Sequence, residues 1–380
     1  MIRAGLIVPF RSEGLGGANY YFNLLSCYQK YPDPDLTLVV FTEFPEDVAA
    51  YQCDAIELHA LPEIKSGHLW NYPLRAARRL LGYDPVTLRA LEKQKIDLIT
   101  HRRLGEQTKI NTLHWQQDFQ HKALPNFFHA TDCARRDSAI NCVGHWGKIL
   151  LSSQAAANDF RQYYPDLSSV QTHVLHFSGA SALNVVLLKR EELEAHYPVR
   201  EPYFFLPNQF WQHKNHGVVV DALRKLPKDV RVICTGFMGD YRNPDYVPKL
   251  LEKVKDAGVQ DRFICLGVVP YPMLVNLMHH SLAVLQPSLF EGWSTSVEES
   301  KAMCKQIVLS SLDVHLEQAP QRGRFFSPDS PGELAAHMKQ IHTEFDPAME
   351  LSFVRQRPTR KNIAEQEWVV QFAEILKKVA

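Results

Sequence analysis

The chain has 380 residues, which is longer than a single hydrophobic core usually serves, and this length predicts two domains. Its 42 basic and 42 acidic residues balance, and 45% of all residues are hydrophobic. This composition excludes a disordered chain, and the zero net charge argues against a dedicated nucleic-acid-binding protein.

The cysteines and the apolar runs predict neither a disulfide-stapled nor a membrane-spanning protein. The seven cysteines are scattered and include no Cys-x-x-Cys pair, which is typical of reduced thiols in the cytosol. The apolar run in residues 1–10 is too short for a signal peptide, and no run reaches the ~18 residues that a membrane span needs. We expect a cytoplasmic protein, at most in contact with the inner face of a membrane.

The first half alternates short apolar runs with longer amphipathic segments, and this rhythm predicts a parallel sheet with crossover helices. The predicted strands are residues 6–10, 36–41, 96–99, 112–115 and 148–152. Gly16 and Gly17 fall between the first strand and the first helix, where a missing Cβ lets the backbone approach a phosphate or an acceptor. Asn19 replaces the third glycine of the dinucleotide-binding pattern G-x-G-x-x-G, which is therefore incomplete.

Two features of the first half have an ordinary structural explanation. Asp33-Pro34-Asp35 resembles a metal-binding D-x-D, but it lies in a predicted turn, where these residue types are common. An apolar helical stripe beside three arginines suits an anionic membrane surface, although a core helix with a basic outer face explains it more simply. The stripe and its arginines are Trp70, Leu74, Ala77 and Leu81 with Arg75, Arg78 and Arg79.

The alternation stops at residues 178–202, where a charged segment and two prolines intervene, and then restarts. This break divides the chain into a first domain (1–185), a linker (186–200), a second domain (201–345) and a helical C-terminal segment (346–380). Strands are predicted at residues 203–206, 230–234, 263–266, 283–286 and 307–310, with helices near 213–226, 247–254 and 295–304. The final helix, 363–379, has Trp368 and Phe372 on one face.

The segment PSLFEGWSTSVEE, residues 287–299, follows a predicted strand and leads into a helix. Ligands gather at the carboxyl ends of parallel strands, and the amides of a helix N-terminus attract phosphate. Glu291 and Glu299 frame this turn, and carboxylates accept hydrogen bonds from sugar hydroxyls. Capping boxes that pair Ser296 with Glu299 and Thr295 with Glu298 are the structural alternative, and on local sequence alone they are favoured.

The wider sequence resembles a known family. FEGWSTSVEES (290–300) is similar to the E-x7-E signature of retaining glycosyltransferases of the GT-B fold, family four. Further similar segments follow in order: GLGGANYYFNLL (14–25), WQQDFQHKALPNFF (115–128), LPNQFWQHKNH (206–216), TGFMGDYRNPDY (235–246), LGVVPY (266–271) and HLEQAP (315–320). The resemblance implies an α/β fold of two Rossmann-like, doubly wound domains that face each other across a cleft. The last helix would cross back to the first domain.

The resemblance also assigns roles to individual residues. Glu299 would bind the ribose of the donor, Glu291 the transferred sugar, and Lys214 the diphosphate, where it would neutralise the charge of the leaving group. The residues predicted for catalysis are His121, Lys214 and Glu291. The residues predicted to bind the donor are Gly16, Gly17, Asn208, Gln209, Lys214, Gly236, Phe237, Val268, Val269, Glu291, Gly292, Trp293, Ser294, Thr295 and Glu299.

Two of these positions have a second interpretation. The family places an arginine six residues before the lysine, but Asn208 stands there, so that Lys214 or another cation must neutralise more charge. His121 would face the donor sugar, whereas an isolated histidine is more often a structural residue. Its surrounding motif favours the functional interpretation.

The implied function is transfer of a sugar, with retention of configuration and without a metal or cofactor, from a nucleoside diphosphate sugar. UDP is favoured over GDP, and the sugar is expected to be a hexose or hexuronate. The acceptor would be a glycan or a lipid-linked saccharide in surface or exopolysaccharide synthesis. We expect a monomer or weak dimer. A sugar-nucleotide epimerase of the GT-B fold and a non-catalytic nucleotide-sugar-binding protein are the alternatives.

Overall fold

The computed structural model describes residues 1–8, 16–61, 84–104, 108–199 and 202–380. The chain folds into two compact units, each built on a parallel sheet. The first unit comprises Met1–Asp118, Ala134–Phe177 and Glu365–Ala380, and the second comprises Phe119–Cys133 and Ser178–Ala364. The chain therefore contributes a short segment, Phe119–Cys133, to the second unit before the main crossing at Ser178.

The sheet of the first unit has seven strands: β1 (Ile2–Val8), β2 (Leu36–Thr42), β3 (Ile56–Ala60), β4 (Leu98–Thr100), β5 (Asn111–Gln116), β6 (Lys148–Leu151) and β7 (Gln171–Val174). Their order is β3-β2-β1-β4-β5-β6-β7, and all pairs are parallel. Every residue of β2 is buried, as expected for a strand covered on both faces.

The sheet of the second unit has six strands: β8 (Tyr203–Pro207), β9 (Arg231–Thr235), β10 (Phe263–Cys265), β11 (Val284–Gln286), β12 (Ile307–Ser310) and β13 (Gly323–Phe326). Their order is β10-β9-β8-β11-β12-β13, again all parallel. The chain winds outward in one direction from β8 and in the other from β11. The strand order therefore reverses between β8 and β11, and open α/β sheets bind ligands at such a switch point.

Helices connect the strands in both units. In chain order the α-helices are Gly16–Lys30, Pro45–Val48, Pro85–Lys93, Gln120–Ala123, Ala130–Asn141, Val143–Trp146, Gln154–Tyr163, Arg190–His196, His216–Leu223, Tyr246–Asp256, Tyr271–His280, Thr295–Ala302, Asp313–Gln318, Pro331–Glu344, Pro347–Val354 and Arg357–Val379. Short 3-10 turns occur at Ala49–Tyr51, Pro125–Phe127, Pro165–Leu167, Ala180–Asn184 and Gln212–Lys214. No helix in the described ranges is both long and apolar enough to cross a membrane.

The last helix contributes to the core of the first unit. Its side chains Trp368 and Phe372 are buried beside Tyr28 and Leu38, which come from the first helix and from β2. Lys30 Nζ also donates to Glu365 Oε2 over 2.9 Å. Burial of each large apolar side chain stabilises the unit by roughly 1.5–3 kcal/mol, so this C-terminal segment is part of the fold of the first unit.

The predicted fold class, two Rossmann-like domains with parallel sheets, is confirmed. Three strands were not predicted, β3, β7 and β13, because their burial is partial and their sequences are not continuously apolar. The predicted first strand, residues 6–10, was placed too late, since β1 begins at Ile2, which pairs with Leu36. The apolar stripe from Trp70 to Leu81 lies outside the described residues.

The predicted helix 213–226 was wrong in its boundaries. A 3-10 turn, Gln212–Lys214, is followed by Asn215, and the α-helix then spans His216–Leu223. Asn215 has a φ of 55°, a left-handed conformation that interrupts a right-handed helix and that asparagine tolerates better than most residues. The interruption places Lys214 on a turn instead of on a helix.

A buried ion pair of the second unit lies at the amino ends of β12 and β13. Lys305 has a fully buried side chain, and its Nζ donates to Glu350 Oε1 over 2.7 Å and to the Ser281 carbonyl over 2.6 Å. Arg322 Nη1 donates to the other oxygen of Glu350 over 2.8 Å. Burial lowers the pKa of Lys305 and would raise that of Glu350, but the two cations outweigh it and lower the Glu350 pKa.

Replacement of Glu350 by alanine is expected to destabilise the second unit by about 3–5 kcal/mol, because it leaves a buried ammonium group without its counter-charge. Differential scanning calorimetry would show a lower thermal midpoint. The matched control is Glu344→Ala, which removes a carboxylate with a side chain 59% exposed and should change little. Equal midpoints for the two variants would contradict the role of the pair.

Candidate active site

The carboxyl ends of β8 and β11 bring several of the predicted donor-binding residues of the second unit together. Asn208 directly follows β8, and Gln286 ends β11. The two side chains are buried and joined, since Asn208 Nδ2 donates to Gln286 Oε1 over 2.9 Å. The candidate site therefore lies at the switch point of the second sheet, between β8 and β11.

Glu291 is the centre of a buried polar network. Its Oε1 accepts from Lys214 Nζ over 2.6 Å, from Ser288 Oγ over 2.6 Å and from Gln286 Nε2 over 2.8 Å. Burial alone would raise the pKa of Glu291, but the ammonium of Lys214 outweighs it and lowers the pKa to about 2. Glu291 is therefore an ionised acceptor throughout the physiological range.

Lys214 is held in place by its turn. Asn215 Nδ2 donates to the carbonyls of Pro287 over 3.1 Å and Pro328 over 3.0 Å, and the Leu289 amide donates to the His213 carbonyl over 2.8 Å. These bonds fasten the turn after β8 to the loops after β11 and β13. The Lys214 side chain is 16% exposed, so it is partly open to solvent although it is paired with Glu291.

In the structure, Asn208 has a role in orienting Gln286 that the sequence did not reveal. Its amide orients Gln286, whose Nε2 also donates to Ser294 Oγ over 3.0 Å. The chain of hydrogen bonds from Asn208 therefore reaches both Glu291 and the residue before the helix Thr295–Ala302. Asparagine at this position organises neutral and anionic groups, whereas an arginine would add a charge.

Gly236 approaches the backbone of Asn208 closely. It has a φ of 132°, and a Cβ added there would lie 2.5 Å from the Asn208 carbonyl oxygen. Its amide donates to the Gly267 carbonyl over 2.8 Å, which ties the loop after β9 to the segment before Val268. Phe237 and Val268 are 57% and 70% exposed, and both are available to a ligand.

Glu299 is buried and contacts Tyr271, a residue without a predicted role. Tyr271 Oη donates to Glu299 Oε1 over 2.8 Å. Burial raises the pKa of Glu299 to about 7, although the tyrosine hydroxyl opposes the shift. Gly179 packs against the same helix so closely that a Cβ there would lie 2.3 Å from the Glu299 amide nitrogen.

The capping-box alternative for the two glutamates is wrong. Ser294 precedes the helix Thr295–Ala302, and its side chain makes no capping hydrogen bond. Glu298 Oε1 accepts from Gln318 Nε2 over 2.8 Å and from Lys301 Nζ over 2.9 Å. Both glutamates therefore make contacts distant from the helix start, which leaves the amides of the first turn available for an anion.

The other predicted site residues lie as follows. Gln209, Val269, Gly292, Trp293 and Thr295 are partly buried. His121 lies in the helix Gln120–Ala123 of the second unit with a side chain only 1% exposed. Gly16 and Gly17 begin the helix Gly16–Lys30 of the first unit.

Sequence reasoning missed several residues that support the network: Gly179, Asp240, Arg242, Tyr271, Gln286 and Ser288. A signal existed for Gln286, because a fully buried glutamine at the end of an apolar strand needs partners. Tyr271 is the last residue of LGVVPY (266–271), a segment that the family resemblance already included. Among the residues that the structure describes, no group of three or more histidine, cysteine or acidic side chains is placed to hold a metal.

Comparison with known proteins gives independent information on the fold and on the second unit. Residues 189–351 match the family model described as glycosyl transferases group 1. No curated protein sequence matches the chain. Among solved structures, HepE (Alr3699) from Anabaena in complex with UDP and glucose is 16% identical, with a TM-score of 0.67 over 100% of both chains.

Two further solved structures are similar over nearly their whole length. Sucrose-phosphate synthase from Thermosynechococcus elongatus is 14% identical, with a TM-score of 0.67 over 100% of this chain and 99% of that one. WaaG, a glycosyltransferase involved in lipopolysaccharide biosynthesis, is 13% identical, with a TM-score of 0.58 over 97% and 95%.

At these identities the likeness shows the fold, which is the GT-B architecture of two Rossmann-like domains. The group 1 match covers residues 189–351, which make up most of the second unit and include the polar network around Glu291. Together the matched domain and the shared architecture support a glycosyltransferase.

The raised pKa of Glu299 predicts a pH-dependent stability. Glutamate in the unfolded chain ionises near 4.5 and Glu299 in the folded protein near 7. Between these values the folded state retains a proton that the unfolded chain has released. Each pH unit in this window therefore lowers the free energy of unfolding by up to about 1.4 kcal/mol.

The measurement compares the thermal midpoints of the wild type and Glu299→Gln at pH 5 and pH 8. The midpoint of the wild type should fall relative to that of the variant as pH rises, because glutamine does not ionise. Glu252→Gln, at an exposed position, is the matched control and should follow the wild type. A constant difference between wild type and Glu299→Gln would show that Glu299 ionises at an ordinary pKa.

Proposed function

We propose that the protein is a retaining, metal-independent glycosyltransferase that transfers a hexosyl or hexuronosyl group from a UDP-sugar to a glycan acceptor. The observation that carries the proposal is the 2.6 Å ion pair between Lys214 Nζ and Glu291 Oε1 at the switch point of the second sheet. It sets a cation suited to phosphate beside an ionised acceptor suited to sugar hydroxyls.

The donor diphosphate fits between Lys214 and the helix that begins at Thr295. The helix contributes unpaired amides and the positive end of its dipole, both of which favour an anion. Lys214 adds a positive charge on a partly exposed side chain. These two features favour a diphosphate over a neutral ligand, and they lie at adjacent strand ends.

Glu299 is proposed to bind the ribose. Its Oε1 accepts from Tyr271 Oη, so the donor hydroxyls would take the remaining acceptor sites of the carboxyl group. Val268 and Phe237, exposed on neighbouring loops, offer the contact surface for the base.

The proposed chemistry relies on electrostatic stabilisation. As the bond between the sugar and the diphosphate breaks, negative charge grows on the leaving phosphate, and Lys214 neutralises it. Glu291 is bound to Lys214 and two further donors, an arrangement better suited to orienting the sugar than to attacking it. The acceptor would attack on the face that the leaving group vacates, with a donor phosphate oxygen as its base, and His121 would contact the donor sugar.

The donor and acceptor classes draw on the similar proteins. HepE was solved with UDP and glucose, and WaaG is a glycosyltransferase of lipopolysaccharide biosynthesis. We propose UDP-hexose or UDP-hexuronate as donor and a surface or exopolysaccharide glycan, free or lipid-linked, as acceptor. All seven cysteines are free thiols, which suits the cytosol and, for a lipid-linked acceptor, the inner face of a membrane.

Replacement of Lys214 by alanine tests the proposal. Turnover with a UDP-sugar should fall roughly 10²-fold or more, because the leaving group loses its neutralising charge. Lys225→Ala, at an exposed position of the same unit, is the matched control and should retain wild-type turnover. Normal turnover of Lys214→Ala would contradict the phosphate assignment, and loss of wild-type activity in EDTA with recovery in magnesium would contradict metal independence.

Donor binding and product analysis separate the alternatives. Calorimetric titration with UDP, GDP and ADP should give the tightest binding for UDP. An epimerase would convert the donor alone into its isomer, whereas a transferase would leave intact donor and slow hydrolysis products. A binding protein would bind UDP yet transfer sugar to no acceptor in a glycan extract.

A further inference from the structure

Arg242, in the loop after β9, is a buried arginine to which the proposed chemistry gives no task. Its side chain is only 3% exposed, and its guanidinium makes hydrogen bonds in three directions. Nε donates to Asp240 Oδ1 over 3.1 Å, Nη1 donates to Gln120 Oε1 over 3.1 Å, and Nη2 lies 3.3 Å from His213 Nδ1. Burial of a charge is costly unless such bonds compensate it.

One side of Arg242 holds the turn that carries Lys214. Asp240, which pairs with Arg242, accepts from the Gln212 amide at Oδ2 over 3.0 Å. His213 precedes Lys214 in the 3-10 turn Gln212–Lys214, and its Nδ1 is the atom that Arg242 contacts. Burial lowers the pKa of His213 to about 3, with a further contribution from Lys214, so its neutral ring accepts a hydrogen bond from Arg242.

The other side of Arg242 holds the segment that carries His121. Gln120 precedes His121 in the helix Gln120–Ala123 and receives the Nη1 bond. The guanidinium carbon also lies 4.8 Å from the ring centre of Phe128 and 5.0 Å from that of Trp211. The planar group thus contacts one aromatic ring from each of the two segments, and such contacts favour arginine over lysine.

We propose that Arg242 is a positioning residue that fixes the Lys214 turn and the His121 segment relative to each other. The inference rests on the proposed function for its catalytic consequence. Arg242 is not a direct ligand of the diphosphate in this arrangement, because its charge is paired with Asp240 and its donors are engaged within the protein. The flat, forked guanidinium is required because Asp240 and Gln120 are contacted at once from different nitrogens.

Arg242→Lys is the first test, because it keeps the charge opposite Asp240 and loses the fork. Turnover should fall on the order of 10-fold to 100-fold, since small displacements of catalytic groups have effects of this size. The dissociation constant for UDP should rise by less than turnover falls, because Glu291 and the two bonds of Asn215 still hold the Lys214 turn when Arg242 is changed. Turnover within about twofold of the wild type would overturn the inference, as would a UDP affinity that falls in parallel with turnover.

A double-mutant cycle separates positioning from a general structural role. Gln120→Ala should lower turnover, and Gln120→Ala combined with Arg242→Lys should be no worse than Arg242→Lys alone, because both changes break the same link. Additive effects would overturn the proposed link. Arg224→Ala, at an exposed arginine of the same unit, is the control and should have wild-type turnover.

Amide hydrogen exchange tests the geometry without reference to activity. In Arg242→Lys, the amides of residues 119–123 and 212–214 should both exchange faster, by about threefold or more, while those of residues 247–254 stay unchanged. Faster exchange in one segment only, or in neither, would overturn the inference. If the wild type neither binds UDP nor transfers a sugar, the proposed function fails, whereas the exchange data still decide whether Arg242 couples the segments.

Discussion

The contact between Lys214 Nζ and Glu291 Oε1 is the interaction on which the candidate site depends. It joins the turn after β8 to the loop after β11, the two strands between which the order of the second sheet reverses. Gln286 and Ser288 complete the shell of Glu291, so that a largely buried carboxylate is kept ionised. Loss of the Lys214 charge would leave the carboxylate of Glu291 uncompensated in a largely buried position, which is costly.

The fold could be predicted because it follows from local sequence, whereas the predicted site residues came from the wider family resemblance, since local sequence alone favoured capping boxes. Buried parallel strands are short and apolar, and the prediction of a phosphate site at the end of β11 needs only a strand, a turn and a helix start. The helix boundary after Lys214 was not predictable from apolar periodicity, since the interruption depends on the single backbone conformation of Asn215. Asparagine also occurs in helices, and its residue type alone does not reveal a positive φ.

Contacts between residues distant in sequence could not be predicted from the sequence. S/T-x-x-E suggested capping boxes, yet Glu299 contacts Tyr271, which is 28 positions away, and Glu298 contacts Gln318. Arg242 and Gln120 are 122 positions apart. A local pattern reports how often neighbours interact along one helix, whereas the partners Tyr271 and Gln318 belong to other helices.

The pairing of the charges around Asn208 explains why an asparagine suits this position. In the described part of the site, Lys214 is matched by Glu291 and Arg242 by Asp240. An arginine at position 208 would add a cation without a carboxylate of its own, whereas the asparagine amide orients Gln286. Under the proposed function, a donor diphosphate would draw Lys214 from Glu291, and the carboxylate thus released would accept the sugar hydroxyls. Diphosphate and sugar would then be recognised together, because each takes one partner of the same ion pair.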